Sequence, residues 1–312
     1  MDNRRPTWAE INLAAIKHNL TCIQKAVKPA KVMAVVKANG YGHGVLEVCE
    51  VCRQQGIDFL GVASLDEAVS VKEAGVDLPI LVIGYTPREY VSTAVDEGIR
   101  VTVFESSLAY DLDRAAKKIG KPALVHVKID TGMGRLGYSA SPETVAEVTK
   151  ISRLPGLELE GIFTHFATAD CPDKAYAMEQ LEMFRKLVDD LARRGVAFAL
   201  RHCSNSAALM EIPEARFDMV RAGIAIYGLY PDPNSRPPGF DIIPAMQLKS
   251  RVGFVKTLPA GVAPFLDWAK GKARATWLDG GQSRGDPCQA RSYHGFAGID
   301  GQVVSAVAGF AA

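Results

Sequence analysis

No apolar run in this sequence approaches the roughly 20 residues that cross a bilayer. Its first residues, MDNRRPTWAEINL, are too charged for the apolar stretch of a secretory signal. Charge of one sign is missing as well. The 36 basic and 35 acidic residues leave +1, which gives no electrostatic footprint for nucleic acid or an anionic membrane. Cysteine is sparse and scattered, six in 312 residues, so no disulfide framework is legible and a reducing, cytoplasmic setting is expected. Cys49 and Cys52 form a C-x-x-C inside the helix-like run VLEVCEVCRQQ and read as packing residues. His43, His126, His165 and His202 stand singly, without H-x-H or H-E-x-x-H spacing, so no metal site is expected.

What the sequence does have is a repeated alternation of two textures. Short apolar runs rich in β-branched residues fall at 31–38, 59–64, 79–85, 100–106, 123–130, 158–167, 198–204 and 219–227. Amphipathic stretches lie between them at 45–55, 65–74, 88–97, 107–119, 142–153 and 175–194. Several begin with helix-start chemistry: Ser64 precedes Glu67 by three residues, and Ser141 precedes Pro142. Eight βα units predict an α/β fold, a (β/α)8 barrel of the TIM type. A doubly wound open sheet remains the alternative, since counting does not show closure.

The barrel is expected over 1–239, ending at the Pro-rich breaker YPDPNSRPPG, with residues 1–13 a strand that joins a second domain. Residues 240–312 read as the remnant of a carboxy-terminal β-domain. From 261 onward the texture changes: 19 of 52 residues are Gly or Ala, and no period of two or 3.6 is visible. That tail reads as divergent or frame-shifted.

Chemistry in such a barrel collects at the carboxyl ends of the strands. Lys37 ends the apolar run VMAVVK and is followed by ANGYGHG, whose glycines let backbone approach a ligand. It reads either as a solvent-reaching strand-end lysine or as a buried amine fit for Schiff-base chemistry. Ser206 and the pair Gly223–Ile224 follow the seventh and eighth runs, where barrels commonly bind phosphate. Ser206 also opens SAALMEI and reads equally as a helix N-cap.

The stretches AVVKANGYGHG, HVKIDTGMGRLG, FTHFATAD, HCSNSAAL and VRAGIAIYGLYP, in this order from about Arg5 to about Gly261, resemble the bacterial alanine racemases. The resemblance implies interconversion of L- and D-alanine, for peptidoglycan supply, by a homodimer that uses pyridoxal 5'-phosphate (PLP). It makes Lys37 the Schiff-base lysine and a catalytic base. It assigns the phosphate to Tyr41, Ser206, Gly223 and Ile224, and places Arg221, supported by His202, at the pyridine nitrogen. Arg135 would contact the cofactor and the substrate carboxylate, and His165 would stand beside the second base. Lys128 matches a lysine carbamylated in some members. That second base is a tyrosine in a Gly-Tyr-Ala-Asp-Gly type motif, which this sequence lacks; its last tyrosine is Tyr293, in RSYHGF. The alternative is a PLP-binding barrel that does not racemise.

Overall fold

The computed structural model describes residues 6–251, so the altered tail and Tyr293 lie outside the described residues. The strands are β1 Thr7–Ile11, β2 Lys31–Val35, β3 Phe59–Val62, β4 Ile80–Val82, β5 Arg100–Val103, β6 Ala123–Asp130, β7 Tyr138–Ser139, β8 Leu157–Phe163, β9 Leu200–His202, β10 Met219–Ala222 and β11 Met246–Ser250. Eight of them pair in parallel in the order β10-β2-β3-β4-β5-β6-β8-β9. The two ends of that row meet through backbone bonds: Asp218 N–H donates to Arg201 O at 3.1 Å, and Arg221 N–H to Ser204 O at 2.9 Å. An open doubly wound sheet would leave both ends unpaired and reverse its strand order partway. This sheet does neither, and the chain forms the TIM-type barrel.

Each expected helix forms, because each apolar stripe has a strand surface to cover. The helices include Leu13–Val27, Val45–Gln54, Ser106–Ile119, Pro142–Ile151 and Ala175–Arg193. Ser141 caps the fourth of these through Thr144 N–H. Cys49 and Cys52 are buried in the second, where burial pushes the Cys49 thiol up to about 12. Toward the amino-terminal side of the barrel, Met33, Phe59, Leu81, Leu200 and Met219 pack into one buried layer. The lumen is therefore a filled core, and polar groups gather above it.

Three sequence expectations shift. The strand expected over 31–38 stops at Val35, and Lys37–Tyr41 is a turn with Ala38, Asn39, Gly40 and Tyr41 at φ 52°, 54°, 62° and 52°. The run expected over 219–227 is a strand only to Ala222; Ile224–Tyr227 coils into a 3-10 turn. The Pro-rich stretch 230–239 is a loop rather than the exit, since the compact barrel unit runs from Asn12 to Ala245. Buried Asn19 holds its last segment, donating to Ile226 O and Ile243 O and accepting from Ile243 N–H. In the other unit, β1 and β11 pair antiparallel, Thr7 opposite Ser250 and Ile11 opposite Met246.

Candidate active site

The turn after β2 is the most strained backbone in the barrel. Ala38, Asn39 and Tyr41 hold a left-handed conformation that costs an L-residue about 1–2 kcal/mol each. Such strain persists only where surroundings over-determine it. Glu67 supplies part of the restraint: one carboxylate oxygen accepts from Ala38 N–H and the other from Ala63 N–H, both at 2.7 Å. Only half of the expected capping box forms, with Ser64 Oγ accepting from Glu67 N–H. From the other side, buried Tyr227 donates to Val35 O, and its ring lies 4.3 Å from that of His43. The turn aims Lys37 so that its Nζ lies 5.8 Å from the centroid of the Tyr41 ring.

Across the barrel mouth, Ser206 is not the N-cap of its helix. Asn205 takes that role, accepting from Ala208 N–H at 3.0 Å. Both residues have capping side chains, and using Asn205 leaves the Ser206 hydroxyl to accept from Gly223 N–H at 2.9 Å and Ala225 N–H at 3.3 Å. A Cβ placed on Gly223 would lie 3.2 Å from the Tyr41 hydroxyl and 3.6 Å from Ser206 Oγ. The Tyr41 and Ser206 hydroxyls thus meet over Gly223, with Ile224 the next residue along the chain. Burial raises the Tyr41 phenol, so it stays a donor at neutral pH.

Arg221, at the end of β10, is buried against neutral groups. Its Nη1 donates to His202 Nδ1 and His202 O, both at 2.9 Å. Its Nη2 donates to Thr164 O at 2.8 Å and Cys203 O at 2.9 Å, and reaches His165 Nδ1 at 3.3 Å. Burial lowers the guanidinium to about 10, which leaves it a cation at neutral pH. Burial, then Arg221, Arg135, Lys128 and Lys37, drive His165 down to about 3, so its ring is neutral and lies within the field of all four cations. Burial and then the charges of Arg135 and Arg221 lower Lys128 to about 8. Arg135 itself is exposed on a loop that Asp130 organises, its carboxylate accepting from the amides of Gly132, Gly134 and Arg135.

The sequence profile described as alanine racemase, N-terminal domain, matches residues 11–231. This chain belongs to the alanine racemase family. An alanine racemase of Desulforamulus reducens is 46% identical over 259 residues, covering 83% of this chain and 70% of that protein. One from Symbiobacterium thermophilum is 45% identical, over 84% of this chain and 69% of its own length. Among solved structures, an alanine racemase of Clostridium difficile 630 in complex with cycloserine superposes with a TM-score of 0.79. It shares 41% identity and covers 81% of this chain, which in turn covers 70% of it.

Within this racemase-family barrel, each site residue singled out from the sequence lies at or just beyond the carboxyl end of a barrel strand. The sequence marks Glu67 only as helix-start chemistry and His126 only as a lone histidine, and gives Glu160 no role. His126 did carry a signal, since it precedes Lys128 by two and shares its face of β6. Among the described residues, no group of His, Cys, Asp or Glu is arranged to hold a metal, and no helix is long and apolar enough to cross a membrane.

Proposed function

We propose that this chain binds PLP at the mouth of the barrel and acts on alanine, with Lys37 as covalent anchor and as the acid–base group for one face of the α-carbon. The cradle around Gly223 carries the reading. The Tyr41 and Ser206 hydroxyls meet there over a glycine that carries no side chain, beside a strained turn that presents a lysine. Tyr41, Ser206, Gly223 and Ile224 would hold the phosphate. When bound, PLP supplies an electron sink that acidifies the α-hydrogen.

Arg221 would face the pyridine nitrogen. An arginine gives up its proton reluctantly, and its partners here are carbonyls and neutral imidazoles. A weakened sink favours returning a proton to the α-carbon over other fates. His202 and His165 would hold Arg221 in place, and Arg135 would reach the cofactor and the substrate carboxylate. Working as a homodimer, as the resemblance implies, would bring a partner's residues to the same mouth.

The cradle is testable by filling it. Gly223→Val should weaken PLP binding at least about tenfold, since displacing one good oxyanion hydrogen bond costs about 1.4 kcal/mol or more. Visible absorbance during PLP titration reads this. Unchanged affinity would move the phosphate elsewhere.

Lys128 has a separate expected property. Its amine, lowered to about 8, is held between the cations of Arg135 and Arg221, where an anion would be welcome. The neutral amine attacks CO2, forming an N–C bond and releasing one proton. Because the folded value is depressed, the reactive fraction should rise through half near pH 8. With 13C-bicarbonate, a carbamate carbon signal should grow from pH 7 to 9 and vanish in Lys128→Ala. A signal that persists in the variant would assign it to another amine.

A further inference from the structure

The bond from Arg221 to His202 does not stop there. His202 Nε2 lies 2.8 Å from His126 Nδ1, and His126 Nε2 lies 3.0 Å from Glu160 Oε2. Glu160 in turn accepts from Arg100, Nε to Oε2 at 3.0 Å and Nη2 to Oε1 at 3.1 Å. Both imidazoles are fully buried, whereas the Arg100 and Glu160 side chains keep 18% and 17% of their surface. A single polar file thus runs down through the barrel from the candidate active site to an ion pair near the solvent.

Donor and acceptor rules orient every link. Arginine only donates, so His202 Nδ1 must carry a lone pair and the proton of the neutral ring sits on Nε2. That N–H donates to His126 Nδ1, which places the second proton on His126 Nε2, facing Glu160. An ionised carboxylate is the one acceptor that closes the sequence. Burial raises the Glu160 carboxyl, but bonds from His126 and Arg100 outweigh it and bring it down to about 2. Both imidazoles are neutral, burial being the first cause that lowers them.

The fold makes an irregular provision for this file. Where β8 pairs with β6, Leu159 faces Val125 and Gly161 faces His126, so Glu160 is an extra residue in a bulge. A Cβ on Gly161 would lie 2.4 Å from His126 Nδ1, so only glycine leaves room for that ring. A strand built for packing alone needs neither the bulge nor the glycine.

We propose that Glu160 is a positioning residue for Arg221: it sets the tautomers of His126 and His202, and through them presents a lone pair to the Arg221 guanidinium. Arg100 anchors Glu160 from the far side. The consequence for alanine chemistry rests on Arg221 facing the cofactor, but the tautomers do not.

The test is long-range 1H–15N NMR on the PLP-free chain with labelled histidine. Both His126 and His202 should be neutral Nε2–H tautomers at pH 7. In Glu160→Gln, Arg100 claims the amide oxygen, and the amide N–H groups then face His126 Nε2. His126 should move to the Nδ1–H form, and the His202 link to Arg221 should break. Arg100→Leu leaves Glu160 charged and should keep both tautomers, which separates this role from simple support of β8. In the PLP-loaded chain, Glu160→Gln should lower kcat for α-proton exchange at least about tenfold, the scale of one charged hydrogen bond, with KM little changed. An Nδ1–H tautomer on either histidine of the wild type would overturn the proposal without any variant. So would Glu160→Gln leaving both tautomers in place. Correct tautomers with no change in exchange would instead fault the placement of Arg221.

Discussion

In D2O with PLP bound, this chain should exchange the α-proton of D-alanine for deuterium about 10²–10⁴ times faster than it forms L-alanine, the usual cost of losing one positioned acid–base group. Racemisation needs a proton donor and acceptor on each face of the α-carbon. A lysine tethered at Lys37 by a rigid turn, held by Glu67 and Tyr227, serves one face. The tyrosine motif that serves the other in the family is absent from this sequence, whose residues 231–312 contain a single tyrosine, Tyr293. Proton NMR following deuterium at the α-carbon, with a chiral assay of the same sample, reads both rates. L-alanine appearing as fast as deuterium enters the D-isomer would reveal a second base, and Tyr293→Phe would then be the first variant to make.

Lys37→Ala should remove that exchange almost entirely, again by about 10²–10⁴ or more, because it deletes both the anchor and the base. Its fold should survive. Lys37 is a turn residue at the barrel mouth and makes no ion pair among the described residues, so its removal leaves no buried partner unsatisfied. Urea unfolding within about 0.5 kcal/mol of the wild type, a normal surface-substitution range, would establish that the lost exchange is chemical. Exchange that persists in Lys37→Ala would assign the proton transfer to another group, with Lys128 the nearest candidate by its lowered amine.

Much of the barrel was legible because period is a physical signal. Strands buried on both faces must be continuously apolar, and helices covering them must carry a stripe, so eight runs and their partners stood out. The exact strand ends did not. Nothing in KVMAVVKA marks Val35 as last, because the turn that follows is imposed by Glu67 and Tyr227, which lie elsewhere in the sequence. The cap on helix Ser206–Glu211 was undecidable for a related reason: Asn205 and Ser206 both cap well, and only the approach of Gly223 selects between them. Glu160 was hidden most deeply. In LELEGIF it reads as an outward polar residue, and the bulge that turns it toward His126 has no signature beyond the adjacent Gly161. The roles of Arg221 and Arg135 came from family resemblance; the structure adds burial and hydrogen-bond partners for Arg221, whereas Arg135 is exposed.

The most direct measurement of the central claim is the location of the PLP adduct. The purified chain is saturated with PLP, reduced with borohydride, digested and mapped by mass spectrometry. With Lys37 as the covalent anchor, one pyridoxyl group is expected, on Lys37, and none in Lys37→Ala. A reduced adduct on another lysine, or no adduct at saturating PLP, would contradict that role.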